Sequence, residues 1–417
     1  MKTDKNRQIS RRRFVQRTAA VGVAAGGFPY IARGALDNGP IKVGVVGCGG
    51  RGSGAMINCI DADKAVQITA VADVFADRID GALEKLAKKG QSVPKDKQFL
   101  GFDAYEKLLE TDVELVILAT PPHFRPAQLA AAIAAGKHVF MEKPVAVDAP
   151  GIRSILESGE QAKSKNLGIV AGTQRRHQKP YVELMKRIGD GEIGEIVGGN
   201  AYWNQSQLWY RNRKDEWSQM EWMIRDWVNW SWLSGDHVVE QHVHNLDIIN
   251  WAIGTHPVEV VAMGGRHRRV TGDQYDCFSA DLTFPNGVHV HSMCRQINGC
   301  ENNVSERVVG TKGTANWRGG TGRLNKVSVT GGRTAYEQEH VDLIASIRSG
   351  QPLNEAQNVA WATLTAIMIR ESAYTGRKLE WNDFIKSNDR LGPSQYALGD
   401  VPEIARWGGN APTPGRA

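Results

Sequence analysis

The sequence has little cysteine. Five occur in 417 residues, at Cys48, Cys59, Cys277, Cys294 and Cys300, an odd number with no Cys-x-x-Cys pair. They make neither a disulfide framework nor a zinc site. Long apolar runs are missing as well: nothing reaches the ~18 consecutive apolar residues that a membrane-spanning helix needs, which excludes a membrane-embedded enzyme. Internal repeats are absent, and so are low-complexity segments beyond the first 34 residues. The basic charge is not where a nucleic-acid surface would need it. Of the net +6, residues 1–34 carry +7, with eight Lys and Arg against Asp4 alone, which leaves −1 for residues 35–417. A nucleic-acid partner thereby loses its main support. What is present is ordinary for a folded chain: 41% hydrophobic and 23% charged residues, with 45 Gly and 16 Pro spread along it. At ~100–200 residues per domain, the length allows two or more domains with a sizeable buried core.

The basic leader has a definite form. Ser10-Arg11-Arg12-Arg13-Phe14-Val15-Gln16 precedes a weakly apolar, Gly/Ala-rich run over 18–32. It resembles a twin-arginine export signal, with Ala32 and Gly34 as the small residues before an expected cleavage after Gly34. The resemblance implies a signal peptide over 1–34, the twin-arginine translocation machinery as a partner, and a periplasmic protein exported already folded. The competing reading is a short amphipathic helix opening a cytosolic domain.

From 41 to about 172, short apolar runs alternate with helical periods. Strands are expected at 41–47, 66–73, 115–120, 138–141 and 167–171, with helices near 50–60, 76–89, 103–110, 124–135 and 148–165. This rhythm predicts a doubly wound parallel sheet over 39–172. The pattern then changes. After a helix at 180–188, strands at 194–206, 258–267, 277–284, 287–296 and 304–309 point to a large open, mostly antiparallel sheet, with helices near 237–252, 336–349 and 355–375. The predicted class is α/β, with an α+β substrate and oligomerisation domain over 173–380 and an irregular tail over 381–417.

Gly47-Cys48-Gly49-Gly50-Arg51-Gly52 follows the first strand and opens a helix, so Gly47, Gly49 and Gly52 fit a dinucleotide fingerprint, with Gly50 and Arg51 in the same turn. Asp73 ends the second strand, 26 residues after Gly47, where a carboxylate accepts from ribose hydroxyls and repels a 2′-phosphate. The expected cofactor is therefore NAD rather than NADP. The competing reading of Asp73 is a helix cap. Thr120-Pro121-Pro122-His123 leaves the fourth strand, and Glu142-Lys143-Pro144 follows the fifth. The ensemble resembles the Gfo/Idh/MocA family of glucose-fructose oxidoreductase, inositol dehydrogenase and the rhizopine-catabolism protein MocA, over roughly 41–380.

The resemblance implies a Rossmann domain followed by an α+β open-sheet domain, a homo-oligomer, and hydride transfer between NAD and a hydroxyl carbon of a sugar, sugar derivative or cyclitol. It makes Lys143 catalytic, adds Thr120, Pro121, His123 and Glu142 to the cofactor site, and aligns His244 and Asp247 with an Asp-x-x-x-His-x-x-Asp helix in which Glu240 replaces the first Asp. Glu240 and His244, four apart, are expected to share one helix face, the carboxylate orienting the imidazole for proton transfer. His237 and His242 do not make the His-Glu-x-x-His order of a zinc helix, so no metal is expected. Gln174, Arg175, Trp203 and Asn204 are candidate substrate contacts. Seven of the 12 tryptophans fall between Trp203 and Trp232. They either stack on sugar rings or pack a loop or subunit interface, and the sequence does not choose. Two other classes fit the same motifs: a glycosidase or lyase that oxidises its sugar transiently on NAD, and a nucleotide-binding protein without catalysis.

Overall fold

The computed structural model describes residues 39–401 and 410–415. The arginine-rich leader and its expected cleavage site lie outside them.

Six strands form a parallel sheet: β1 (Ile41–Val46), β2 (Val66–Asp73), β3 (Gln98–Leu100), β4 (Leu115–Leu118), β5 (His138–Met141) and β6 (Ile169–Ala171). Their order is β3-β2-β1-β4-β5-β6, the doubly wound Rossmann arrangement. β4 is a continuous apolar run and β1 is one but for Lys42, because helices cover both of their faces, and every residue of β4 is buried. The chain leaves β1 toward one edge of the sheet and β4 toward the other. A crevice therefore opens beyond the carboxyl ends of these strands, where ligands bind in such folds.

The second sheet has nine strands: β7 (Ile196–Gln205), β8 (Glu259–Gly265), β9 (Cys277–Thr283), β10 (His289–Gln296), β11 (Asn303–Gly310), β12 (Gly313–Arg318), β13 (Thr321–Leu324), β14 (Val327–Val329) and β15 (Leu379–Glu380). The order is β14-β13-β12-β11-β7-β10-β9-β8-β15, and only the central β7–β10 pair is parallel. Along β10, Val290, Ser292, Cys294 and Gln296 are buried while His289 and His291 are exposed, the alternation of a sheet covered on one face. The helices Val243–Ile253 and Ala356–Thr375 supply that cover, and the second is buried on nearly all sides. One apolar core runs through both sheets, from Leu118 and Met141 to Val290, Trp317 and Ile367.

The expected strands and helices are present within a few residues. Sequence reasoning did not find β3 or β12 to β15, most of which are too short or too polar for a clear alternation. The helix expected over 237–252 is in fact two, His237–Glu240 and Val243–Ile253, separated by a turn at Gln241 and His242.

Candidate active site

The glycine turn is built by close contacts. Gly47 has φ +91°, and a Cβ there would lie 2.6 Å from the Thr120 nitrogen; one on Gly52 would lie 1.7 Å from the Gly47 carbonyl oxygen. No side chain fits at either position. Gly49 and Gly50 face open space, where a Cβ would meet nothing within 4 Å. They open the helix Gly50–Ala62, which has no side-chain cap and no acidic residue in its first turn. Its free amides suit a pyrophosphate. The turn forms one wall of a cleft of about 410 Å³ that also meets Asp73, Phe75, Thr120 and Pro121. Asp73 accepts from the Cys48 nitrogen at 2.6 Å through one oxygen and from the Phe75 nitrogen at 2.9 Å through the other, so its position at the end of β2 is fixed. Each oxygen keeps a lone pair for a ribose hydroxyl. These residues fit an NAD dinucleotide.

At the ends of β4 and β5, buried Arg125 donates to the carbonyl oxygens of Thr120 and Pro144 and ties the two strand ends together. Lys143 follows β5 directly. Its Nζ donates to the Glu240 carbonyl oxygen at 2.5 Å and to Glu240 Oε1 at 3.0 Å. The helix Val243–Ile253 brings in His244, whose ring lies nearly parallel to Trp203 of β7, 5.7 Å between centres. Burial, then the charges of Lys143, Arg175 and Arg51, hold the imidazole well below its ordinary pKa. His244 is therefore neutral at physiological pH and able to accept a proton. Its Nδ1, the Trp203 Nε1 and the Gln174 Oε1 are buried without a hydrogen-bond partner among the described residues. Polar atoms left open together in this way mark a place built for a polar ligand.

Around this point four cations each have a carboxylate, while Arg125 is held by main-chain carbonyls alone. Lys143 pairs with Glu240, Arg51 with Glu142 at 2.5 Å, Arg175 with Glu306, and Arg176 with Asp247 through three contacts of 2.8–3.0 Å. Lys143, Arg51, Arg175 and Arg176 are thus already matched and do not wait for an ionised substrate.

Residues 41–168 match the family model described as "Oxidoreductase family, NAD-binding Rossmann fold", and residues 181–316 match the "GFO/IDH/MocA C-terminal domain". The chain belongs to the Gfo/Idh/MocA family. Within it, inositol 2-dehydrogenase of Salmonella typhimurium is 32% identical over 193 residues, 44% of this chain and 54% of that protein. A glycosyl hydrolase family 109 protein of Solibacter usitatus is 32% identical over 201 residues, 45% of this chain and 43% of that protein. The chain thus spans about half the length of the curated relatives it matches. An oxidoreductase of Thermotoga maritima shares the fold with a TM-score of 0.67 at 20% identity, covering 83% of this chain and 99% of its own.

Against this Gfo/Idh/MocA frame, several expected roles change. Glu240 does not share a helix face with His244, because the chain turns at Gln241 and His242; its carboxylate meets Lys143 instead. Asp247 is buried against Arg176, so it holds an arginine rather than the ligand. Asn204 lies opposite Arg295 on the strand position after Trp203, and strand alternation puts it on the other face of the sheet. His123 does not line the cleft. It is packed against Trp232 and Tyr396 and hydrogen-bonds the Tyr396 hydroxyl at 2.6 Å, enclosed by the tail that the sequence left unread. Glu142 reaches the cleft only through Arg51. His237 is bound to Asp236 and His242 to Ser292, and among the described residues no three His, Cys, Asp or Glu side chains converge for a metal.

Gln174 reaches the Tyr336 hydroxyl at 3.4 Å, and Arg175 lies over Trp203 and Tyr181. Two residues near the site went unnoticed in the sequence. Tyr336 sits under Arg51, 4.7 Å from its guanidinium, and left no signal. Glu306 did leave one: it falls on the inward side of β11, in register with Val308, where an acidic residue needs a buried partner.

Proposed function

We propose that the protein is an NAD-dependent oxidoreductase that moves a hydride between the nicotinamide and a hydroxyl carbon of an uncharged sugar, sugar derivative or cyclitol. The observation that carries this is the neutral, buried His244 beside the Lys143–Glu240 pair, with Arg175 and Arg176 already matched by carboxylates. His244 accepts the hydroxyl proton, Lys143 holds the same oxygen and favours its anionic form, and Glu240 aims Lys143. The glycine turn, Asp73, Thr120 and Pro121 hold NAD, which supplies the hydride acceptor when bound. The Ser10–Phe14 motif supports export through the twin-arginine route to the periplasm, and assembly as a homo-oligomer is part of the same reading.

The test is a panel of neutral sugars and cyclitols, with their uronates and phosphates, followed at 340 nm in the presence of NAD. Turnover of neutral members alone is the expected result, and turnover confined to the acidic members would reject the reading. The similarity to a glycosyl hydrolase family 109 protein favours a second reading, transient oxidation of a glycoside with return of the hydride. Release of the leaving group without net NADH would identify it.

A further inference from the structure

The NAD cleft has a second wall that the Rossmann half does not supply. Opposite Asp73 and Phe75 it is lined by Trp209, Arg211, Ile224, Arg225 and Trp227, all from the tryptophan-rich stretch between β7 and the helix His237–Glu240. Trp209 and Trp227 meet edge to face, 6.3 Å between ring centres, and the Arg211 guanidinium lies 5.3 Å from the Trp209 centre. This wall is braced from within: Asp226 accepts from the Arg211 nitrogen at 2.7 Å, and Trp222 Nε1 donates to the Arg211 carbonyl oxygen at 2.7 Å. It is also strapped to the Rossmann sheet. Arg225 donates to both oxygens of Asp77 at 3.0 and 3.2 Å and to Glu221 at 2.8 Å, and its guanidinium lies 3.9 Å over the Phe75 ring. Phe75 and Asp77 sit two and four residues after Asp73, so the strap ends at the edge of the ribose position.

We propose that Trp209, Arg211 and Trp227 bind the adenosine half of NAD from the substrate-sheet side, and that the Arg225–Asp77 pair keeps them closed over it. The inference rests on NAD occupying this cleft. An acidic residue at the end of the second strand marks the ribose of the adenosine half, so the aromatic wall facing it is placed to stack on a base, and Arg211 adds a positive charge toward the phosphates. Trp209 and Trp227 then serve the nucleotide rather than a sugar. A nucleotide held from both sides leaves slowly, because the strap must open first.

The experiment uses two half-ligands. AMP probes the adenosine end and nicotinamide mononucleotide the other. Trp209→Ala with Trp227→Ala is expected to weaken AMP by about tenfold or more, the size of a lost base stack, and to leave nicotinamide mononucleotide unchanged. Asp77→Asn, whose side chain is half exposed and outside the cleft, is expected to speed release of preloaded radiolabelled NAD severalfold in a chase with unlabelled NAD. Unaltered AMP affinity in the double variant would overturn the proposal, as would unaltered NAD release from Asp77→Asn. If the double variant does not fold, Trp209→Ala alone decides, since Trp209 is 45% exposed. A wild-type protein that binds neither AMP nor NAD would overturn the cofactor reading along with the wall. Wild-type binding unaffected by these substitutions would overturn the wall alone.

Discussion

Lys143→Met keeps most of the side chain's bulk and removes its charge, and the structure gives that change three separate consequences. The Lys143 and Glu240 side chains are 11% and 9% exposed, so the substitution leaves a buried carboxylate without its cation. Breaking such a pair costs about 3–5 kcal/mol of stability. Turnover should fall by ~10²–10⁴, or about 2.7–5.5 kcal/mol of transition-state stabilisation, because the reacting oxygen loses the group that favours its anion. The third consequence has a definite sign. After burial, the charge of Lys143 is the largest influence holding His244 down, so its loss lets the imidazole pKa rise. A base must be neutral to act, and the acidic limb of the pH–rate profile should therefore move to higher pH. The assay is kcat against pH for the wild type, Lys143→Met and the double variant Lys143→Met/Glu240→Gln, with denaturant melts of each. The double variant should recover most of the lost stability and none of the lost turnover, which separates a catalytic lysine from a structural one. Recovery of turnover together with stability, or an acidic limb that stays in place, would refute the assignment.

Glu240→Gln alone should shift the same limb the opposite way, to lower pH, because Lys143 would then act on His244 without its counter-charge; pH profiles of the two single variants make the comparison. His177 lies between Asp342 at 2.6 Å and Glu355 at 3.2 Å, which raise its pKa to about 10 against the burial that opposes them. Since the folded value exceeds the unfolded ~6.5, this stabilisation is complete below pH ~6.5 and is lost as pH rises toward 10. His177→Gln should flatten that alkaline decline in melts taken from pH 6 to 10. Asp73→Ser should let NADP approach NAD in affinity by titration calorimetry; a wild type that already binds both equally would remove Asp73 from ribose recognition. Arg11→Lys with Arg12→Lys should leave uncleaved precursor in the cytoplasm on fractionation, and normal periplasmic recovery would reject export by this route.

The parallel half was legible because its strands are buried on both faces and its glycines are sterically forced. β4 is an unbroken apolar run, β1 is apolar at all but Lys42, and Gly47 and Gly52 admit no side chain. Local pattern and tertiary need agree there. The second sheet was legible in its longer strands β7, β9 and β10, and lost at β12 to β15, where two to six residues pair only because a neighbour is already in place. The break between His237–Glu240 and Val243–Ile253 has a similar origin. The stretch is buried on nearly all sides, its polar residues Glu240, His244 and Asp247 included, so the helical period carries no direction, and tertiary contacts decide where the helix stops.

The candidate site divides along the same line. Residues fixed by main-chain geometry, such as those of the glycine turn, could be read from position, whereas Lys143 at the end of β5 was singled out by the family resemblance. Residues whose place depends on a partner far along the chain could not. Glu240 lies 97 residues from Lys143, Glu306 131 from Arg175, and Arg225 148 from Asp77, and a single sequence does not say which charge meets which. His244 shows the limit most clearly. Its histidine identity and its spacing from Glu240 pointed to a carboxylate-tuned imidazole, whose pKa a carboxylate would raise. Burial and three neighbouring cations instead drive it down. The expected electrostatics are reversed, because the sign of a pKa shift belongs to the assembled cluster and to no residue within it.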